Sequence, residues 1–388
     1  MAFWLIGAGV LLLWAGVHPF TTYPVSLVLL KRLKSQPLPP PSAAGANEPP
    51  PDAPEMAILL CAYNEERVIE AKIENMMALQ RAYPKLGVYI YVDCASDRTA
   101  QLLEPYRDRI FLHVSPERLG KTHGMNLLMS HVTAPLVVFT DANVILDTQV
   151  PVRLLRYFSD PKIGCVCGHL KYTNAGDSVT ASSGSLYWRL DEWTKRLESA
   201  TGSAMGADGS LFAIRRALHR PAPVDMFDDI FVSMSILCDG NRLVQADDVI
   251  ALEESVPNQR EEFQRKIRIG CQAYNAHLLL WPSIRRLDLF TVYKYVSHKW
   301  LRWLAIYFLA AAALLLELGL VVAGQPLLAA GLLALGVLGL VGGYFSLARP
   351  LAQLWDIFTA FLGTGLGVIK SLRGHRFQTW TPASSIRK

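Results

Sequence analysis

Apolar residues gather at both ends of the chain, and between them short apolar runs alternate with stretches of helical period. Phe3 to Val17 opens an apolar stretch that continues past Pro19 and Pro24 to Leu30, and Lys31, Arg32 and Lys34 follow at once. Residues 1–30 therefore read as one membrane anchor helix kinked at a proline. The cations behind it place the next domain in the cytoplasm. No cation precedes the stretch and no small-residue cleavage site ends it, so an anchor is expected rather than a cleaved leader. Residues 31–54, Pro- and Ala-rich from Gln36 on and without periodicity, read as a cytoplasmic linker.

Near the other end, within residues 300–347, Trp300–Ala323 and Leu327–Leu347 are each long enough to span, separated by Gly324-Gln325-Pro326. Before them, Phe290–Trp303 mixes aromatics with Lys294, His298, Lys299 and Arg302. Residues 288–300 thus read as an interfacial amphipathic helix, with His298 at headgroup level. A third segment at 351–369 carries Gln353 and Asp356. The tail at 370–388 holds Lys370, Arg373, Arg376, Arg387 and Lys388 and no acid, and a third crossing would expel it. Residues 351–369 are accordingly expected to lie in the interface or to re-enter, with a third transmembrane helix as the alternative.

Residues 55–287 alternate between two periods. Strands are expected at Met56–Cys61, Val88–Asp93, Ile110–Val114 and Leu136–Thr140, and helices at Glu65–Gln80, Asp97–Tyr106 and Lys121–His131. Such alternation predicts an α/β domain with a mostly parallel sheet, its ligands at the carboxyl ends of the strands. There is no GxGxxG and no GxxxxGK[ST], which argues against a dinucleotide fold and a P-loop ATPase. The 51% hydrophobic content of the 388 residues reflects the two ends, since the middle is of ordinary globular composition. The net charge of +5 is concentrated beside the apolar segments and suits a membrane surface, not a nucleic acid. Six cysteines without CxxC or zinc spacing read as reduced thiols.

The strand ends carry the chemistry. Leu136–Asn143, LVVFTDAN, ends in Asp141 and Asn143, a hard-oxygen pair suited to Mg²⁺ or Mn²⁺ and equally a common turn. The first strand ends in Ala62-Tyr63-Asn64-Glu65-Glu66, where the Asn is a helix cap or a ligand. The second ends in Asp93-Cys94-Ala95-Ser96-Asp97, where Asp97 suits a cap and Asp93 does not. Arg118 to Asn126, RLGKTHGMN, is a basic, glycine-containing helix entry of the kind that meets phosphate.

CAYNEE, VDCASDRT, RLGKTHGMN and TDAN, in this order, resemble the membrane-bound, inverting family 2 glycosyltransferases, related to polysaccharide synthases of the cellulose, hyaluronan and poly-N-acetylglucosamine type. Gly206–Arg216 resembles that family's acceptor-side segment, Phe227-Asp228-Asp229-Ile230 its base motif, Gln264–Arg268 its Q-x-x-R-W helix, and Trp380-Thr381-Pro382 a family ending. The resemblance implies a GT-A nucleotide-sugar-binding domain, a Rossmann-like mixed sheet with helices on both faces, flanked by transmembrane helices. It implies Ala62, Tyr63, Asn64 and Glu65 beneath base and ribose, Asp93 reading a uracil imide, and Lys121 on the diphosphate side. Asp141 is implied as the first metal ligand, with Asn143 where a second acid often stands and without that acid's charge; the alternative for Asn143 is contact with the sugar or ribose. Asp229 is implied as general base, with Asp228 orienting it or capping the following helix; both are otherwise simple acids at a helix N-terminus. Gly206, Asp208, Gly209 and Gln264 are implied on the acceptor side, and Arg265 and Arg268 over the diphosphate. The alternative for these two arginines is a basic helix snorkelling at lipid headgroups.

Ile269 stands at the position of the family tryptophan, which favours a single transfer over chain extension. The resulting expectation is an integral protein of the cell or inner membrane with a cytoplasmic catalytic domain. It would move a sugar from a UDP-sugar to a lipid-linked or glycan acceptor with Mg²⁺ or Mn²⁺, membrane lipids as partners and no nucleic acid. The alternatives are a processive synthase that exports its polymer and a non-catalytic nucleotide-sugar-binding partner subunit. The intact Asp93, Asp141 and Asp229 argue against the last.

Overall fold

Strands that are apolar at every position belong in a sheet covered on both faces, and the first strands of this chain are of that kind. A computed structural model describes residues 1–39, 48–174, 179–254 and 258–379. Part of the linker, Trp380-Thr381-Pro382, and Arg387 and Lys388 lie outside the described residues. Strands β1 (Met56–Ala62), β2 (Leu86–Asp93), β3 (Phe111–Ser115) and β4 (Leu136–Asp141) run parallel in the order β3-β2-β1-β4. Beyond them come β5 (Ile145–Leu146), β6 (Ile163–Tyr172), β7 (Leu211–Arg215) and β8 (Arg242–Glu253), completing the order β3-β2-β1-β4-β7-β6-β8-β5. Of these strands only β7 and β5 oppose their neighbours. This is the mixed sheet of the expected GT-A class.

The direction of β7 decides what meets what. It pairs antiparallel with β4, Thr140 opposite Leu211, so the residues entering β7 arrive where β4 ends. β8, parallel to β6, brings its last residue, Glu253, to that same edge. Acids, an amide and a glycine turn from distant parts of the chain are thereby collected at one side of the sheet.

At the N-terminus α1 (Ala2–Val17), a short 3-10 turn (His18–Phe20) and α2 (Thr22–Leu30) form two helices with a bend between them, where one kinked helix was expected. One face of the sheet, including Ile58, Leu60 and Val138, packs with α3 (Ile69–Ala82), α4 (Thr99–Leu103) and, after α5 (Lys121–His131), α6 (Val150–Phe158). The other face, including Leu59, Val137 and Phe139, packs with α5, α8 (Asp228–Cys238) and α9 (Gln259–Ile284); α7 (Val179–Ala200) precedes these. The first helix of the domain begins at Ile69, not at Glu65. Asn64 sits at φ 52° and hydrogen-bonds Ser96 across the neighbouring loop, so it caps no helix.

α10 (Leu289–Tyr295), a π-helical turn (Val296–Trp300) and α11 (Leu301–Val322) form one continuous helix, followed by α12 (Pro326–Tyr344) and α13 (Arg349–Leu372). Among the described residues, four segments are long and apolar enough to cross a membrane: Ala2–Phe20, Leu289–Val322, Pro326–Tyr344 and Arg349–Leu372. Glycines set the close packing. A Cβ at Gly9 or Gly16 of α1 would strike Leu316 or Leu309 of α11, and one at Gly319 would strike Ile6. Small residues let apolar helices approach this way without a hydrophobic driving force.

α13 is unbroken, so it does not re-enter as a hairpin. It runs alongside α9: Gly363 meets Phe263 and Lys266, Gly270 meets Thr364, and Gly367 meets Ile267 and Cys271. Its first turn touches the last turn of α12, Leu351 against Gly342 and Gly343. Farther along, Gly365 touches Ile306 and Tyr307 near the start of α11. The end of α12 and the start of α11 lie at the same end of their hairpin, so α13 lies across them rather than along them.

Candidate active site

Lys121 opens α5, Asp141 ends β4, Asp228 and Asp229 open α8, and Gly209 leads into β7. The structure brings these five together. Lys121 Nζ lies 2.6 Å from Asp141 Oδ1 and 4.0 Å from Asp228 Oδ1. Gly209 occupies the gap. A Cβ there would stand 3.1 Å from Asp229 Oδ2, 3.1 Å from Lys121 Nζ and 3.7 Å from Asp141 Oδ2. Asp228 is buried, and among the described residues neither of its carboxylate oxygens has a hydrogen-bond partner.

Electrostatics follow from that crowding. Burial opposes the charge on Lys121, but Asp141, Asp228 and Asp229 outweigh it and hold the ammonium protonated. Burial and then the Asp228 charge push the Asp229 carboxyl up to about 7, against the pull of Lys121. A carboxylate tuned this way is suited to take a proton near neutrality. Asp229 Oδ1 also accepts the Ile230 N–H at 2.6 Å, which fixes its rotamer at the head of α8.

The loops after β1 and β2 and the entry to α5 form a second group. Asp93, fully buried, accepts the Leu119 N–H at 2.7 Å on Oδ1 and the Gly120 N–H at 3.0 Å on Oδ2. It thereby holds the loop that delivers Lys121. Gly120 adopts φ 91° there, a conformation that favours glycine. The Arg118 guanidinium lies 3.7 Å over the Tyr63 ring. Ala62 ends β1, and the Glu65 N–H bonds Thr99 Oγ1 at 2.8 Å. Asp97 accepts both the N–H and the hydroxyl of Thr99 at the start of α4, although the N-cap position itself falls to Arg98.

On α9, Arg265 pairs with Glu262 at 3.2 Å, and that pairing holds its guanidinium charged. Arg268 stacks over Phe227, and burial followed by Arg265 lowers it to about 10, with Asp141 and Asp229 opposing. Arg268 thus feels two acids of the central group, while the acids that Arg265 feels are Glu262 and Glu253. Gln264 on the same helix is exposed.

Asp208 does not join the central group directly, although its charge still raises Asp229. It pairs with Lys195, which is wholly buried in α7 and also lies 3.3 Å from Asp191. Asp191 in turn pairs with Arg302 and with His298 Nε2 at 3.1 Å, while His298 Nδ1 meets Glu198 at 2.7 Å. His298 is therefore not a headgroup-level residue. It is fully buried between two acids of α7, and the π-helical turn carries it there. Gly206, at φ 93°, sits beside Lys299 and Ser233.

Three residues around the site were not singled out by the sequence. Glu253 accepts from Asn143 and Ser210. Lys72, buried under β4, donates to Thr140 Oγ1 at 3.2 Å and to the Val144 carbonyl, and burial lowers it to about 7. Lys195 is the third. No local signal marks them, since α3, α7 and β8 each carry other charged residues.

A divalent cation fits this edge. Asp141 offers a carboxylate and Asn143 an amide oxygen, both hard donors. Among the described residues no three His, Cys, Asp or Glu side chains gather as a metal group. Such a site suits an ion that takes its remaining oxygens from substrate phosphates and water. All six cysteines are free.

Residues 53–271, more than half of the chain, match the family described as Glycosyltransferase like family 2. An N-acetylglucosaminyltransferase of Rhizobium leguminosarum bv. viciae is 21% identical over 252 residues, covering 61% of this chain and 59% of that protein. A beta-monoglucosyldiacylglycerol synthase of Synechocystis sp. is 24% identical over 226 residues, covering 56% and 45%. The matches span less than two thirds of either relative. Among solved structures, a mannosyltransferase from Pyrobaculum calidifontis in complex with GDP-Man and Mn²⁺ superposes with a TM-score of 0.71 at 22% identity. That alignment covers 95% of this chain and 99% of the other.

Proposed function

This chain belongs to glycosyltransferase-like family 2, an enzyme family acting on nucleotide sugars, and from that premise we propose a membrane-embedded, inverting transferase with Asp229 as general base. The observation that carries this reading is the convergence of Lys121, Asp141 and Asp229 around Gly209. The donor is a UDP-sugar and the acceptor a lipid or lipid-linked glycan. A relative named as a glucosyldiacylglycerol synthase supports a lipid acceptor, and Ile269 in place of an aromatic ring supports a single transfer.

The acceptor hydroxyl gives its proton to Asp229 as its oxygen attacks the anomeric carbon. The nucleoside diphosphate leaves from the opposite face, so the anomeric configuration inverts. Lys121, and Arg265 and Arg268 from α9, stabilise the negative charge that develops on the departing diphosphate. Asp141 and Asn143 would hold a divalent ion, which would further neutralise that leaving group. Asp228 keeps Asp229 basic by like-charge repulsion.

For topology we infer that α1, α11 and α12 cross the bilayer while α13 lies on the cytoplasmic face, clamped to α9. This agrees with a basic tail kept inside.

The test is transfer from a panel of radiolabelled nucleotide sugars by membranes holding the protein, followed by lipid extraction of product. Asp229→Asn should abolish transfer and leave donor binding nearly intact, and retained turnover would refute the base. Discrete extracted glycolipids are expected; a ladder of long polymer on a gel would replace single transfer with polymerisation.

A further inference from the structure

The second position of the cation pair carries an amide, Asn143, and the group that meets it is Glu253 at the end of β8. Glu253 Oε1 accepts from Asn143 Nδ2 at 2.9 Å, and Oε2 accepts from Ser210 Oγ at 3.2 Å. Both oxygens of the Glu253 carboxyl are acceptors here, and that dictates which end of the amide faces it. The NH₂ group turns to Glu253, and the carbonyl oxygen, the only atom of that side chain able to ligate a hard cation, is left for the other side.

We propose that Glu253 is a positioning residue for the cation: it aims the Asn143 carbonyl at the metal. It also supplies, from one residue further back, the negative charge that an acid at 143 would carry. This rests on the divalent-cation reading above. The chain thus divides between two side chains what a single aspartate would do, with geometry from Asn143 and charge from Glu253. Outer partners of this kind orient first ligands, and their loss costs about 10- to 100-fold in metal affinity.

A purely structural clamp, tying β8 to the β4 turn and to Ser210, would predict a different response to substitution. A clamp alone predicts that Glu253→Gln lowers stability and leaves metal binding unchanged. If Glu253 acts as proposed, Asn143→Asp sets two carboxylates at hydrogen-bond distance and gains nothing, because their repulsion opposes ionisation of both. Adding Glu253→Gln then removes the conflict, since the glutamine amide donates to the introduced carboxylate.

The measurement is Mn²⁺ uptake by the detergent-purified full chain in the presence of UDP, and of GDP in parallel, followed by loss of the free-ion electron paramagnetic resonance signal. No saturable uptake by the wild type overturns the cation reading and this inference with it. Given uptake, Glu253→Gln is expected to weaken it by about tenfold. Asn143→Asp should bind no more tightly than wild type, and the double variant should return to near the wild-type value. Unchanged affinity in Glu253→Gln, or tighter binding in Asn143→Asp alone, overturns the assignment while leaving the cation reading intact. Asn143→Asp carries the test by itself should Glu253→Gln not fold. A lowered melting temperature with unaltered Mn²⁺ affinity is the signature of the clamp and also overturns it.

Discussion

The ammonium of Lys121 lies 2.6 Å from the carboxylate of Asp141, although one residue begins a helix and the other ends a strand twenty positions later. Both side chains are only partly exposed, at 22% and 33%. Lys121 stands among Asp141, Asp228 and Asp229 as their shared counter-ion, at the edge where a diphosphate and its cation belong. Replacing it with alanine removes one preorganised cation from the leaving group's path. Lys121→Ala is expected to lower kcat by about 10²–10³. Initial-rate measurements at saturating donor check this, and a loss below tenfold would take Lys121 out of the diphosphate's path.

The Asp228–Asp229 pair predicts the pH dependence. Asp229 acts in its ionised form, and burial plus Asp228 raise its carboxyl to about 7. Activity therefore rises as pH rises through about 7, and below that point kcat/KM falls by about tenfold per pH unit. Asp228→Asn removes the neighbouring negative charge, so the acid limb moves to lower pH. A pH profile of kcat/KM for both forms checks the sign. A limb that stays in place, or moves upward, contradicts the pairing.

How much of this was legible in the chain depends on where each partner lies. Lys121 and Asp141 could be picked out because each stands at a boundary between an apolar run and a polar turn, and Asp228 and Asp229 through the resemblance of Phe227–Ile230 to a family base motif. A parallel sheet sends such boundaries to one edge. Glu253 could not: its partner Asn143 is 110 positions away, and only the reversal at β7 brings β8 into register. His298 and Arg302 misled for a related reason. Basic and aromatic residues beside an apolar helix have the composition of a headgroup layer, while their acids, Asp191 and Glu198, lie in α7 about a hundred positions earlier. Asn64 was ambiguous locally, and the choice against a helix cap came from Ser96 in the next loop.

That buried cluster makes a stability prediction. Lys195 is fully buried and satisfies both Asp191 and Asp208. Replacing it with methionine keeps the volume and leaves two acids short of their cation in a poorly solvated place. Breaking one partner of a buried pair typically costs about 3–5 kcal/mol. Lys195→Met should therefore lower the melting temperature of the detergent-solubilised protein, and Lys195→Met with Asp208→Asn should recover part of the loss. Equal melting of the wild type and the single variant would show that Asp191 is satisfied by Arg302 and His298 alone.

The last prediction concerns the membrane arrangement. Three crossings by α1, α11 and α12 put the start of α1 and the α11–α12 turn outside, and the catalytic domain, α13 and the basic tail inside. Were α13 to cross as well, the tail would emerge. Its lateral course past Gly342 at one end and Tyr307 farther on, together with its glycine contacts to α9, opposes that. A cysteine introduced for Gln325 in the α11–α12 turn should react with a membrane-impermeant thiol reagent applied to intact cells. A cysteine introduced for Ser385 in the tail should react only after the cells are opened. Labelling at 385 in intact cells would make α13 a fourth span. It would also require the α9 contacts to form within the bilayer, where Arg265 and Arg268 would be costly to hold.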